Sequence, residues 1–237
     1  MKNRARLSAD LRPSKADPAD TKTKILDAAF RRLVDEGYAA LSVREIAKDA
    51  GVNHALINYH FRTKDQLVIA VLEAANQRLL ERQERMYQAD SSFAQKWAQA
   101  RCFYADDLAS GFVRLQAELI AASLSNPSLR EKFVPQIAAW KGLVTEGARD
   151  ALRALTESDS GLPSALSAEA IGCWVSYFWL GMEFADLLGH PFLASDHASA
   201  LDAMRTLLEQ LDTRVADSKR RAHKPKPYPK ASKRKRG

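Results

Sequence analysis

"SVREIAKDAGVNHALINYHFRTKDQL", Ser42 to Leu67, spaces apolar residues as a helix would on either side of a single glycine. Between Asn53 and His60 it also holds two asparagines, two histidines and a tyrosine. Ser42 with Glu45 three positions on has the capping-box pattern, in which each side chain satisfies a backbone N–H that the helix end leaves without a partner. A short helix then stops at Gly51, whose missing Cβ permits the left-handed turn of a helix-turn-helix, with Val52 packed into the elbow. A third helix follows from about Asn53 to His60. Ile57 and Phe61 lie four apart on it and share the face that packs against Ile46, Ala47, Ala50 and Val52.

That face is core, so the remaining sides carry Asn53, His54, Ala55, Leu56, Asn58, Tyr59 and His60. A polar-aromatic surface on a short helix behind a Gly turn fits the major groove, which offers base-edge donors and acceptors and thymine methyls. Asparagine pairs twice with adenine, histidine donates or accepts, and Ala55 or Leu56 meets a methyl. Contacts from the start of such a helix put Asn53, His54 and Leu56 nearest the bases, with a partly buried Tyr59 and His60 toward phosphates. Arg44 is in reach of a guanine edge. Ser42 and Lys64 stand at helix N-termini, where backbone N–H groups favour an anion.

Outward from this stretch the chain reads as all-α. Apolar positions recur three and four apart, and glycine and proline are sparse. A first helix beginning near Asp20 or Thr21 buries Ile25, Ala29, Phe30 and Leu33 and ends at Gly37. A fourth runs from Thr63 or Lys64 to about Tyr87, and further helices are expected at 91–110, 112–125, 128–157, 167–188 and 197–217. Pro135 is expected to kink its helix, and "ESDSGLPSALS" and "LGHPFLASD" read as loops.

The residues of 42–67 resemble the DNA-binding signature of TetR-type (tetracycline-repressor-like) regulators: the Ala-Gly-Val turn at Ala50–Val52, the His60–Phe61 pair and the following Lys64. The likeness extends over 21–67. Two residues depart from the pattern, Asn53 where many members have Ser and Asn58 where an aromatic is common. The resemblance implies an N-terminal three-helix helix-turn-helix domain joined to a C-terminal helical domain for ligand binding and dimerisation. It further implies a homodimer on a palindromic double-stranded operator, released by a small-molecule effector. On this reading the chain divides into a flexible basic arm (1–20), the DNA-binding domain (21–67), an effector-binding and dimerisation domain (68–217) and a disordered basic tail (218–237).

Beyond about residue 88 the sequence is less specific. Trp97, Phe103, Tyr104, Trp140, Trp174, Tyr177 and Phe178 are the aromatic candidates for an apolar pocket. Asp107, Glu118, Glu183 and Asp186 read as solvated surface charges, and Cys102 and Cys173 as small core residues. The helices at 167–188 and 197–217 carry apolar faces suited to a dimer seam, the second through Leu201, Met204, Leu208 and Leu211. Pairing two copies there holds two recognition helices about 34–36 Å apart, or a multiple of it.

Charge is distributed unevenly within the 237 residues: residues 1–24 hold +4, residues 218–237 hold +10 and the body holds −7. Basic ends on an acidic body point to a polyanion. They also leave open a second reading, an architectural or activating DNA-binding protein without an effector. No Gly-rich phosphate loop, metal-spaced His/Cys cluster or Ser-His-Asp grouping stands out, so no catalytic residue, metal or cofactor is expected. With no apolar run near the ~20 residues of a membrane span and no signal-peptide block, the expectation is a cytoplasmic protein.

Overall fold

The computed structural model describes residues 18–157 and 166–222, and every regular element among them is helical. The order is α1 (Pro18–Ala40), α2 (Val43–Ala50), α3 (His54–Phe61), α4 (Lys64–Gln88), α5 (Phe93–Ser110), α6 (Phe112–Ser125), α7 (Pro127–Glu157), α8 (Ala168–Leu187), α9 (Pro191–Ala194) and α10 (His197–Ala222). The all-α expectation holds. Most of the proposed N-terminal arm, most of the basic tail and most of the "ESDSGLPSALS" loop lie outside the described residues.

Two compact units result among the described residues, and α4, α5 and α7 contribute to both: those up to residue 82 with 105–140, and 83–104 with those from 141 onward. The core of the first joins Ile25, Ala29 and Leu33 of α1 to Ile46 of α2, Ile57 and Phe61 of α3, and Leu67, Val68 and Leu72 of α4. Leu115 and Leu119 of α6 and Leu129 and Phe133 of α7 complete it. Each of the leucine, isoleucine, valine and phenylalanine side chains, fully buried, contributes about 1.5–3 kcal/mol relative to exposure. Short α2 and α3, eight residues each, therefore owe their stability to this packing rather than to helix propensity.

In the second unit Trp97 donates its indole N–H to the Leu201 carbonyl at 3.0 Å. Asp212 of α10 caps the start of α5, accepting from the N–H groups of Phe93 at 2.8 Å and Ala94 at 2.9 Å. Buried Met86, Val144, Leu155, Trp179 and Met182 belong to the same unit.

Several expectations need correction. α10 continues through Ala222, past Asp217, and "LGHPFLASD" contains the short α9, whose N-cap is His190: its Nδ1 accepts from the Phe192 N–H at 3.3 Å. α7 runs through Pro135 as a single helix. Cys102 is exposed because α5 turns Trp97 and Tyr104, seven apart, toward the unit instead. Asp107, Glu118 and Asp186 are not solvated surface charges: they meet Arg82, the Tyr38 N–H and the Tyr104 hydroxyl respectively.

Candidate nucleic-acid interface

The turn forms as its sequence dictates. Gly51 sits at φ 64°, ψ 33°, and the N–H groups of Gly51 and Val52 donate to Lys48 and Ala47 carbonyls, closing α2. Across it, Ile57 is 2% exposed and Phe61 4%, while Tyr59 is 79% exposed and Leu56 40%. Asn53, His54, Ala55 and Asn58 are exposed as well, and His60 is half-buried between the rings of Tyr59 and Phe61. The apolar pair thus anchors α3 from behind and the polar-aromatic set faces outward. Tyr59, expected to be partly buried, is among the more exposed large side chains, because its position two residues from both Ile57 and Phe61 puts it on the opposite side of the helix.

Local hydrogen bonds prepare this surface. Asn53 is the N-cap of α3: its Oδ1 accepts from the Ala55 N–H at 2.8 Å, which leaves the amide N–H₂ as its outward group. Asn58 donates its amide to Nδ1 of His54 at 3.3 Å, one turn earlier. With Nδ1 accepting, a neutral imidazole carries its proton on Nε2 and presents a donor to a partner.

The capping box does not form. Ser42 holds the N-cap position with extended dihedrals but makes no side-chain cap hydrogen bond. Glu45 is drawn away by Arg32 of α1, whose guanidinium meets Glu36 at 2.9 Å, Glu45 at 3.4 Å and Asp49 at 2.5 Å. One cation thereby ties α1 to both turns of α2, and its hydrogen bond holds the Asp49 carboxyl below its ordinary range.

Lys64 is likewise engaged within the protein. Its Nζ donates to the Tyr38 carbonyl at 2.6 Å and lies 4.4 Å from that residue's ring centre. Burial lowers its pKa. Arg44 is exposed on α2. Two exposed cations escaped the sequence reading: Lys48, one turn beyond Arg44, and Arg62, directly after α3. The i, i+4 spacing of Arg44 and Lys48 was the available signal for the first. Arg62 adopts φ 51°, ψ −44°, a strained γ-turn closed by the Thr63 N–H donating to the Phe61 carbonyl, and nothing in the sequence announces it.

The aromatic pocket candidates do not converge on one place. Trp97, Tyr104 and Phe178 gather around Trp179, with ring centres 5.1–6.1 Å apart, close enough that the rings fill the space between them. Phe103 is half-buried, Trp140 packs against the first unit's core, and Trp174 and Tyr177 stand on the exposed side of α8.

Residues 25–71 match the family model described as bacterial regulatory proteins, tetR family. This segment, α1 through the first two turns of α4, is therefore similar to the DNA-binding region of tetR-family regulators. An HTH-type transcriptional repressor of Mycobacterium tuberculosis, Rv3405c, is 43% identical over 68 residues, which are 29% of this chain and 36% of that one. At that identity the chain spans little more than a third of its relative. CymR of Pseudomonas putida, an HTH-type transcriptional regulator, is 28% identical over 161 residues, 60% of this chain and 77% of its own. Among solved structures, Salmonella enterica GusR aligns with a TM-score of 0.64 at 18% identity, covering 85% of this chain and all of that one. The SmeT–triclosan complex aligns at 0.61 and 19% identity, over 77% and 88%. These two likenesses concern the fold alone.

Proposed function

We propose that this chain, tetR-like over residues 25–71, is a homodimeric repressor that binds a palindromic operator through α3 and leaves it when a small molecule binds. The exposure of Tyr59, Leu56, Asn53 and His54 on a helix anchored by buried Ile57 and Phe61 carries this reading. Base contacts come from the Asn53 amide, His54 Nε2–H, Ala55, Leu56 and Asn58, with Tyr59, His60, Ser42, Arg44, Lys48 and Arg62 toward phosphates or flanking edges. Lys64 serves chiefly to hold α4 against the end of α1.

Dimerisation rests on α8 and α10, where Trp174 is 61% and Tyr177 58% exposed and Met204 and Leu207 are uncovered too. Apolar surface of this extent on two helices is what a second copy buries in a four-helix seam. For the effector we look to the second unit, where the rings of Trp97, Tyr104, Phe178 and Trp179 would have to part to admit it beside the Tyr104–Asp186 hydrogen bond. SmeT, a neighbour in fold, holds triclosan in its solved complex. A ligand that favours one conformation lowers operator affinity by its own differential affinity for the two states.

Fluorescence anisotropy on DNA flanking the protein's own gene tests the reading, with His54→Ala and Asn53→Ala expected to lose sequence preference while retaining salt-dependent binding. Binding that is blind to sequence and indifferent to both changes overturns it. Trp174→Glu, read by sedimentation, is expected to give monomers.

A further inference from the structure

The first unit contains a cleft of about 290 Å³ that the α3 surface does not use. Four helices build it. Leu26 and Phe30 of α1, Val71 and Leu79 of α4 and Phe112 of α6 supply an apolar lining. Its polar groups are Arg78 and Arg82, one turn apart on α4, with Asp27 of α1 and Asp107 of α5.

The charges are not equivalent. Asp107 is 7% exposed and already receives the Arg82 guanidinium, while burial pushes its carboxyl above the ordinary range. That pair is balanced internally. Arg78 is exposed, and no carboxylate among the described residues comes within ion-pair distance of it. It repels Arg82 one turn away, so an anion held at Arg78 relieves a like-charge contact as well as gaining two parallel N–H···O bonds. A cation entering the same space meets Arg78 with only Asp27 to offset it. The lining adds a preference for an apolar body, and the volume, at the lower edge of the range for ligand pockets, suits a single ring or short chain.

We propose that this cleft binds a small organic carboxylate, with the carboxylate on Arg78 and the ring or chain against Phe30, Leu79 and Phe112. The site is independent of the aromatic cluster of the second unit and of operator binding.

Calorimetric titration of the full chain with benzoate and hexanoate, without DNA, tests the proposal, with benzamide and benzylamine as matched neutral and cationic probes. At least one carboxylate is expected to bind once per chain, with both controls tenfold or more weaker. Arg78→Gln, an exposed change that leaves the melting temperature unaltered, is expected to weaken the carboxylate by about tenfold or more. Ala75→Phe, which fills the cleft, should abolish binding in a protein that still melts cooperatively. The proposal fails if neither carboxylate gives heat up to about 10 mM, if benzylamine binds as well, or if Arg78→Gln leaves the affinity unchanged.

Discussion

Tyr38 is bound through its N–H by Glu118 of α6 at 3.0 Å and through its hydroxyl by Asp65 of α4 at 2.5 Å, and its carbonyl accepts from Lys64 at 2.6 Å. Asn126, which closes α6, donates to the same Asp65 at 3.0 Å. One residue at the end of α1 therefore gathers the start of α4 and α6.

Lys64→Gln is expected to destabilise the protein by about 1–2 kcal/mol in urea unfolding, through loss of a charge-assisted hydrogen bond and the ring contact. Operator preference should survive it. A variant of unchanged stability with weakened DNA binding returns Lys64 to the phosphate contacts.

Opposite faces of α3 should fail in opposite ways. Ile57→Ala and Phe61→Ala remove buried volume and are expected to cost about 2–5 kcal/mol of stability. Tyr59→Ala should change stability by less than about 0.5 kcal/mol, as exposed substitutions do, yet reduce operator affinity. Thermal unfolding beside anisotropy separates the two, and a destabilised Tyr59→Ala contradicts the orientation.

His54 and Asn58 should be coupled in DNA binding. Asn58→Ala leaves Nδ1 without its donor and lets the imidazole choose either tautomer, so base preference opposite His54 is expected to relax. A double-mutant cycle measured on operator variants should be non-additive. Strict additivity removes the tautomer argument.

Asp49 gives a pH signature. Its folded-state pKa lies below its unfolded value because Arg32 holds the ionised form. Such a group contributes stability above the unfolded pKa, near the ordinary carboxylate range, and loses it as pH falls through the folded value. Asp49→Asn is therefore expected to melt earlier than the parent at pH 7, with the gap closing in acid. A gap that persists at pH 2 points to packing instead of charge.

The helices and the exposed face of α3 were legible because periodicity and one glycine determine them locally: Ile57 and Phe61 must share a side, and Gly51 must turn. What escaped notice depends on distant partners. Ser42 and Glu45 satisfy a local capping rule, but Arg32, thirteen residues before Glu45, outbids the backbone for the carboxylate. Lys64 reads as a phosphate ligand until Tyr38 is seen beneath it. Asp107 reads as surface charge because its burial is created by α4 and its own pairing by Arg82. The aromatic residues share composition without a register to bring them together, which is why Trp140 and Trp97 separate into different units.

Gly37 supplies a last consequence. At φ 80° it breaks α1 just before Tyr38, and a Cβ built there would stand 2.7 Å from Oε2 of Glu118. The carboxylate thus rests where any other residue would put a methyl. An alanine at this point strains the backbone and evicts Glu118 together, severing the grip of α6 on the neighbouring tyrosine while the exposed side chains of α3 stay chemically intact. Such a protein would keep every outward side chain of α3 and lose part of the frame that holds α1 to α6.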